Sequence, residues 1–208
     1  MEARGTKTLD KAGYARIRRA CETNRQRLLV RLCGEVGLRP VEIARIQPGD
    51  IRAHVHDGNV HYFLRVRGDG GSNARDAYLP REVKRELDRY VESEGINDAA
   101  PVFDVSPRRL QMLVGEAVER AVAAGAESLR GVSTADLRRY CARAQLRAGV
   151  PPAVVMAVGG WSRLDGFAAD PDEVGEATAA AAFARADSDD GSRLRAAFQR
   201  AIRRRDRR

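Results

Sequence analysis

Apolar residues recur at helical spacing along most of the chain and alternate with polar residues in one region only. In residues 60–67 every second side chain is aliphatic or aromatic, which predicts a β-strand, and shorter stretches at 51–55 and 77–79 predict its neighbours. Turn residues at 57–59 and a glycine-rich loop at 68–73 separate these stretches. We therefore predict an α+β fold, mainly α-helical, with a small antiparallel sheet of two to three strands.

The predicted helices have clear start and stop signals. A helix over about residues 24–36 is expected to end at Gly37, and Pro40 is expected to open the next one. Further helices are predicted after Pro80, over about 107–124, and from Ser133 onward, where Asp136 completes a capping box. The helix after Ser133 has a predicted buried stripe of Leu137, Tyr140, Cys141, Ala144 and Ala148.

Arg138 lies in the first turns of that helix, beside the positive end of the helix dipole. A cation there costs a few tenths of a kcal/mol to about 1 kcal/mol, so a bound anion is one way to account for it. The helix pair that follows ends in Gly159, Gly160 and the only tryptophan, Trp161.

The pattern predicts one folded domain over residues 1–163. Residues 164–191 are acidic and alanine-rich and are expected to form a linker. Residues 192–208 are basic, with a thin apolar line of Leu194, Phe198 and Ile202, and are expected to form a helix or a tail. That segment could contact a partner subunit, in a homo-oligomer, or lie on DNA.

Composition favours nucleic acid as the partner. The net charge is +8 and the pI near 10.0, almost entirely from arginine, which binds phosphate with two donors at once. The alternative is that arginine reflects solubility and a GC-rich genome. No apolar run or signal peptide predicts a membrane or export, so a cytoplasmic protein is expected.

The cysteines and histidines do not predict a metal or a cofactor. Three widely spaced cysteines in helical apolar positions are typical of small core residues. His54, His56 and His61 surround a predicted strand, and we interpret them as a solvated strand face in preference to a metal site.

Three motifs in order resemble the catalytic domain of the tyrosine recombinases, or lambda-integrase family, over about residues 8–161. The stretch 37–43 has the glycine, leucine, arginine, two residues, glutamate pattern. The stretch 133–139 is similar to the family's box of serine, histidine, aspartate and arginine, and Gly160 and Trp161 resemble its glycine and histidine-or-tryptophan motif.

This resemblance implies a phosphate grip on DNA by Arg39, Arg138 and Trp161. We add Arg139, Arg67 and Arg75 as further candidate DNA contacts. The alternatives are an internal salt bridge or a surface position for the arginines and a core position for the tryptophan.

The departures from the family pattern predict that strand cleavage is lost. The hairpin lysine falls on Asp69, the assisting histidine on Ala135, and the nucleophilic tyrosine near Asp170. No tyrosine follows Tyr140, and neither Tyr78 nor Tyr140 is expected to suit in-line attack. Family members also carry a separate helical DNA-binding domain before this one, so a chain starting here is expected to bind DNA more weakly.

The sequence therefore predicts a non-catalytic protein that binds double-stranded DNA, as a regulator or an architectural factor. No cofactor, metal, small-molecule substrate or membrane is expected. Two alternatives stay open: an active recombinase with relocated catalytic groups, and a protein-interaction module that pairs with intact recombinases.

Overall fold

The computed structural model describes residues 8–68 and 74–162. Seven α-helices lie in these ranges: α1 (Lys11–Arg19), α2 (Asn24–Arg31), α3 (Pro40–Ile43), α4 (Arg81–Ser93), α5 (Pro107–Ala123), α6 (Thr134–Arg147) and α7 (Pro152–Gly159). Three strands form a sheet between α3 and α4: β1 (Ile51–His56), β2 (Asn59–Val66) and β3 (Arg75–Leu79). The predicted α+β class is confirmed. The predicted linker 164–191 and basic segment 192–208 lie outside the described residues, and the domain boundary at 163 stays a prediction.

The sheet is antiparallel with strand order β1-β2-β3. Leu64 pairs with Ile51 on one side and with Ala77 on the other. Because side chains alternate along a strand, Leu64, Val66, Ala77 and Leu79 fall on one face, where all four are buried. The predicted period of two therefore identified the strands, and in β2 and β3 it also identified residues that face the core.

A π-helix (Leu32–Val36) continues α2, where one longer α-helix was predicted to reach residue 36. A π-turn accommodates an extra residue per turn, which an apolar period cannot distinguish from an α-helix. The predicted stop at Gly37 is confirmed, since Gly37 has φ +81°, in the left-handed region that glycine adopts without strain.

A buried ion-pair network fixes this π-helix against the neighbouring helices. The guanidinium of Arg31 donates to Glu35 Oε1 at 3.0 Å and Oε2 at 2.8 Å, and to Glu86 Oε2 of α4 at 2.6 Å. The hydroxyl of Tyr14 in α1 donates to Glu35 Oε1 at 2.8 Å. Three helices are thus joined next to the segment that leads to Arg39.

The hydrophobic core is centred on α5. Helices α1, α2 and α3 all pack against α5, and the sheet and α4 complete the enclosure. The core-facing residues of α5 recur at helical spacing and are Leu110, Leu113, Val114, Ala117, Val118, Ala121 and Val122. Cys21, Cys33 and Cys141 are buried and unpaired, so they are core residues as predicted.

Helix α6 begins as predicted, but its buried stripe was only partly right. The Asp136 carboxylate accepts from the backbone N–H of Ser133 at 2.9 Å, which is the reaching-back half of the predicted capping box. Leu137 and Cys141 are buried, whereas Ala148 is exposed and Tyr140 is half-buried. The physical reason is that the second half of α6 borders an open cavity beside α7, so its apolar face is not fully covered.

Candidate nucleic-acid interface

Arg39 lies at the start of a short helix, where the Glu42 side chain accepts from its backbone N–H. It precedes Pro40, the first residue of α3, with extended backbone angles (φ −83°, ψ 152°). Glu42, one turn on, accepts from the Arg39 backbone N–H at 2.7 Å through Oε2. Its Oε1 accepts from Arg39 Nε at 3.1 Å and from Nη2 at 3.0 Å. The side chain of Arg39 stays 30% exposed, while that of Glu42 is 1% exposed.

Arg75 reaches the same carboxylate from the sheet. It is the first residue of β3 and pairs with Val66 across the sheet. Its Nη1 donates to Glu42 Oε1 at 2.5 Å, its Nη2 to Oε2 at 3.0 Å, and its Nε to the Val158 carbonyl at 3.1 Å. With 8% of its side chain exposed, Arg75 is an internal connector between α3, β3 and α7.

Arg138 joins the ends of two helices. Its Nε donates to the Gly37 carbonyl at 3.0 Å, just past the π-helix. Its Nη2 donates to the carbonyls of Gly159 at 2.8 Å and Gly160 at 3.2 Å, at the end of α7. Helix ends carry carbonyls with no intrahelical partner and a partial negative charge. These carbonyls offset the electrostatic cost of a cation in the first turns of α6. From the sequence alone, a bound anion was the explanation offered for the position of Arg138.

Trp161 lies over this guanidinium. The Arg138 Cζ is 3.8 Å from the centroid of the Trp161 ring, a cation–π contact. The tryptophan is half-buried: it packs on Gly159 and on the small apolar cluster of Ala142 and Val155, so the alternative of a packing role holds beside the contact with Arg138. Gly160 has φ +66°, and a Cβ there would come within 2.8 Å of Arg75 Nε, so both the backbone turn and the close approach require glycine.

Positive charge is in excess at this cluster, which we call the arginine cluster: Arg39, Arg75, Arg138, Glu42 and Trp161. Arg39 and Arg75 bind the one buried carboxylate, and Arg138 lies close enough for the charges of all three to affect it. The pKa of Arg138 is lowered to about 10, chiefly by burial; the charge of Glu42 opposes this effect, and the charges of Arg75 and Arg39 add to it. Arg138 remains charged at neutral pH, and an anion beside it would reduce this electrostatic cost.

The other predicted contacts lie outside the cluster or outside the described residues. The Arg67 guanidinium donates to Gln47 Oε1 at 2.6 Å and to Asp50 Oδ1 at 3.1 Å, with 55% of its side chain exposed. Arg139 Nη2 donates to Asp136 Oδ1 at 2.6 Å. Ala135 is exposed in the first turn of α6. Asp69 and Asp170 lie outside the described residues, so their predicted roles are untested.

Glu42 and the carbonyls at the end of α7 are the site residues that sequence reasoning missed. The sequence identified Glu42 only as the glutamate of the 37–43 motif, and the structure makes it the common acceptor for two arginines. The signal that could have identified it is its place in the motif, three residues after Arg39. A carboxylate so close to a predicted phosphate contact needs a cationic partner of its own.

Residues 8–68 and 74–162 contain neither a metal-binding cluster nor a membrane-spanning helix. No group of three or more histidine, cysteine or acidic side chains is arranged to hold a metal ion there. Within the same residues, no helix combines the length and the apolar character that crossing a bilayer requires.

The architecture is that of the catalytic domain shared by site-specific recombinases and integrases, which confirms the resemblance at the level of the fold. The individual matches are as follows. The XerA recombinase superposes with a TM-score of 0.63 at 16% identity, over 80% of this chain and 59% of that one. XerH bound to its palindromic difH substrate gives 0.64 at 17%, over 84% and 53%. A lambda integrase dimer bound to a COC' core site gives 0.56 at 15%, over 82% and 62%.

These likenesses are structural only. No protein-family model and no curated protein matches the chain by sequence. The chain spans a little over half the length of the XerA and XerH structures that it matches.

Proposed function

We propose that the protein binds double-stranded DNA through the arginine cluster and does not cleave it. The observation that carries this proposal is the convergence of three arginines at a half-exposed position, where Arg39 and Arg75 bind the Glu42 carboxylate and Arg138 is close enough to feel the charges of all three. Such a cluster gains stability from an anion, and phosphate matches the geometry of guanidinium donors. The recombinase and integrase structures that share the fold include complexes with DNA, which supports the same partner class for this chain.

The arginines divide the work. Arg75 is internal and holds Glu42 and α7 in place, so we assign it a positioning role, in contrast to the direct contact considered from sequence. The contact with phosphate falls to Arg39, whose side chain is 30% exposed, and to Arg138, whose guanidinium lies against the Trp161 ring. Glu42 limits the excess charge and orients both Arg39 and Arg75.

The non-catalytic half of the proposal rests on the residues at the positions of the family's reacting groups. Ala135 offers no proton donor or acceptor side chain. Asp69 replaces the lysine and Asp170 lies where the tyrosine is expected, and neither residue can perform the family's step there. A protein that holds a phosphate without these groups suits a regulator or an architectural factor.

Equilibrium binding at several salt concentrations tests the DNA contact. We expect a mixed-sequence duplex to be bound with an affinity that falls steeply with salt. Arg39→Ala is expected to weaken binding by about tenfold and to reduce the salt slope by about 1, as for one lost phosphate contact. Arg85→Ala is the matched control, because Arg85 is 62% exposed on α4, where it pairs with its neighbour Glu82. Equal losses for both variants, or no binding by the wild type at low salt, would refute the contact.

Trapping on a nicked suicide substrate tests the absence of cleavage. We expect no covalent protein–DNA adduct after denaturing electrophoresis, with an active recombinase as positive control. An adduct that disappears in Tyr140→Phe or Tyr78→Phe would establish an active enzyme with a relocated nucleophile, which is the alternative considered from sequence.

A further inference from the structure

The outer face of the sheet has a composition unlike the rest of the surface. Alternation places on it, opposite to the buried face, two arginines, three histidines, two aromatic rings, one asparagine and one aspartate: Arg52, His54 and His56 of β1, Asn59, His61, Phe63 and Arg65 of β2, and Asp76 and Tyr78 of β3. No aliphatic residue occupies any of these positions. We call this set the ring face.

The rings of this face form one continuous series. Phe63 and Tyr78 meet edge to face with centroids 5.8 Å apart, and His54 lies 6.5 Å from Phe63. His61 joins the series at 6.3 Å from Tyr78, and its centroid is 6.5 Å from that of His56. Five rings across three strands thus support one another, each within the separation at which aromatic groups interact favourably.

These rings are not buried as core aromatics are. His54 and His56 are exposed, and His61, Phe63 and Tyr78 are half-buried, whereas Phe103 in the core is 2% exposed. His61, Phe63 and Tyr78 also form one wall of a cavity of about 600 Å³, which α6 and α7 close on the other side. Half-exposed rings beside a cavity provide accessible apolar surface on which a planar ligand can stack.

The charges at the ring face favour an anionic partner. Arg52 lies across from Phe63 on β1, and Arg65 lies two residues along β2 from Phe63; both are exposed, and Asp76, which pairs with Arg65, is the one acidic residue of the ring face. The rings suit a planar group and the arginines suit a phosphate, and a nucleotide contains both. In a duplex the base faces stack on one another, so free base faces belong to single strands.

We propose that the ring face binds single-stranded nucleic acid, with bases stacked on Phe63, Tyr78 and His61 and phosphates beside Arg52 and Arg65. Stacking of this kind tolerates any sequence, because every base has a π-face. None of these residues belongs to the arginine cluster, so the inference does not depend on the duplex contact proposed above.

Two oligonucleotides of equal charge test this inference. Fluorescence anisotropy compares an oligothymidylate of about 15 nucleotides with an abasic strand of the same length and phosphate number. We expect the abasic strand to bind about tenfold or more weakly, because it keeps the charges and lacks the bases. Equal affinity for both strands would show that charge alone holds the strand, and would overturn the proposal. An oligouridylate in the same assay shows whether RNA is bound as well as DNA through the same bases.

A variant that keeps bulk and removes the rings separates stacking from packing. Phe63→Leu with Tyr78→Leu is expected to abolish most of the preference for the oligothymidylate over the abasic strand, and Arg39→Ala is expected to leave that preference intact. A double variant that is folded, by circular dichroism, and still prefers the oligothymidylate would refute the proposal.

Photocrosslinking tests the wild-type protein even where the double variant fails to fold. A strand containing 5-iodouracil is expected to crosslink to Phe63, Tyr78 or His61, as identified by mass spectrometry. Crosslinks confined to Trp161 would place the strand at the arginine cluster and overturn the assignment.

Discussion

Glu42→Gln removes the one negative charge of the arginine cluster and should destabilise the fold strongly. The Glu42 carboxylate accepts five hydrogen bonds from Arg39 and Arg75 and is 1% exposed. Removing one partner of a buried ion pair costs about 3–5 kcal/mol. Glutamine keeps the shape and one acceptor oxygen, so we expect a loss of about 3 kcal/mol in the free energy of unfolding. For a domain of this size that is a fall in Tm of about 6–12 °C, measured by scanning calorimetry.

The pH dependence of this loss has a definite sign. Burial raises the pKa of Glu42, but hydrogen bonds from Arg75 and Arg39 and their charges outweigh it and hold the pKa below its usual value. A carboxyl whose pKa is lowered on folding stabilises the protein above its unfolded pKa of about 4.3, and this stabilisation is lost as the pH falls through the folded pKa. The difference between wild type and Glu42→Gln should be complete near neutral pH and should shrink below about pH 4.

Glu82→Gln makes the same chemical change at an exposed salt bridge. Glu82 is 67% exposed and pairs with Arg85 at 3.1 Å, so its variant should lose less than about 1 kcal/mol. If Glu42→Gln and Glu82→Gln melt together, the carboxylate does not hold the cluster and the reasoning about shared charge fails. A deficit of Glu42→Gln that is constant from neutral to acidic pH would refute the electrostatic part alone.

Two further substitutions and one labelling experiment test the packing of the fold. Gly34→Ala should lower the free energy of unfolding, measured by urea denaturation, by about 1–3 kcal/mol, because a Cβ there overlaps the Tyr14 ring. Its control, Gly115→Ala, has open space around the new Cβ and should be neutral or gain up to about 1 kcal/mol. Equal effects of the two changes would contradict this reasoning. Ser133→Ala should lose about 1 kcal/mol in the same assay, through the first turn of α6, and an unchanged midpoint would mean that the Asp136 carboxylate suffices. The three buried cysteines should react with a thiol reagent at pH 8 only after unfolding, since burial raises the pKa of Cys33 and of Cys141 to about 12; rapid labelling of the native protein would contradict their placement.

Local patterns predicted the elements well because each has a local physical cause. Capping at Ser133, the stop at Gly37 and the alternation along β2 depend on neighbours a few residues away, and the structure confirms all three. The π-turn over residues 32–36 was missed because an extra residue in one turn leaves the apolar pattern readable as an α-helix. The exposure of Ala148 was missed because it depends on where α7 packs.

The sequence predicted which residues form the candidate site, but it did not predict which groups those residues contact. Arg39, Arg138 and Trp161 are found together, as their motifs indicated. What the residues contact is decided by long-range packing: the Glu42 carboxylate meets Arg75 only because β3 enters beside α3, and Arg138 meets the end of α7 only because α6 and α7 fold back on each other. No periodicity in the sequence encodes these meetings.

The hydrogen bonds of Arg138 also bear on how the domain folds. The bond to the Gly37 carbonyl closes a separation of 101 residues, and the bond between Arg75 and Val158 closes one of 83. Contacts of such high sequence separation must overcome the entropy of closing long loops, so they form late and only once the intervening chain is organised. Fragments that stop before Gly159 should therefore lack the bonds of Arg138 to the end of α7 and its contact with Trp161, and a truncation series should regain affinity for DNA in one step as the end of α7 is restored.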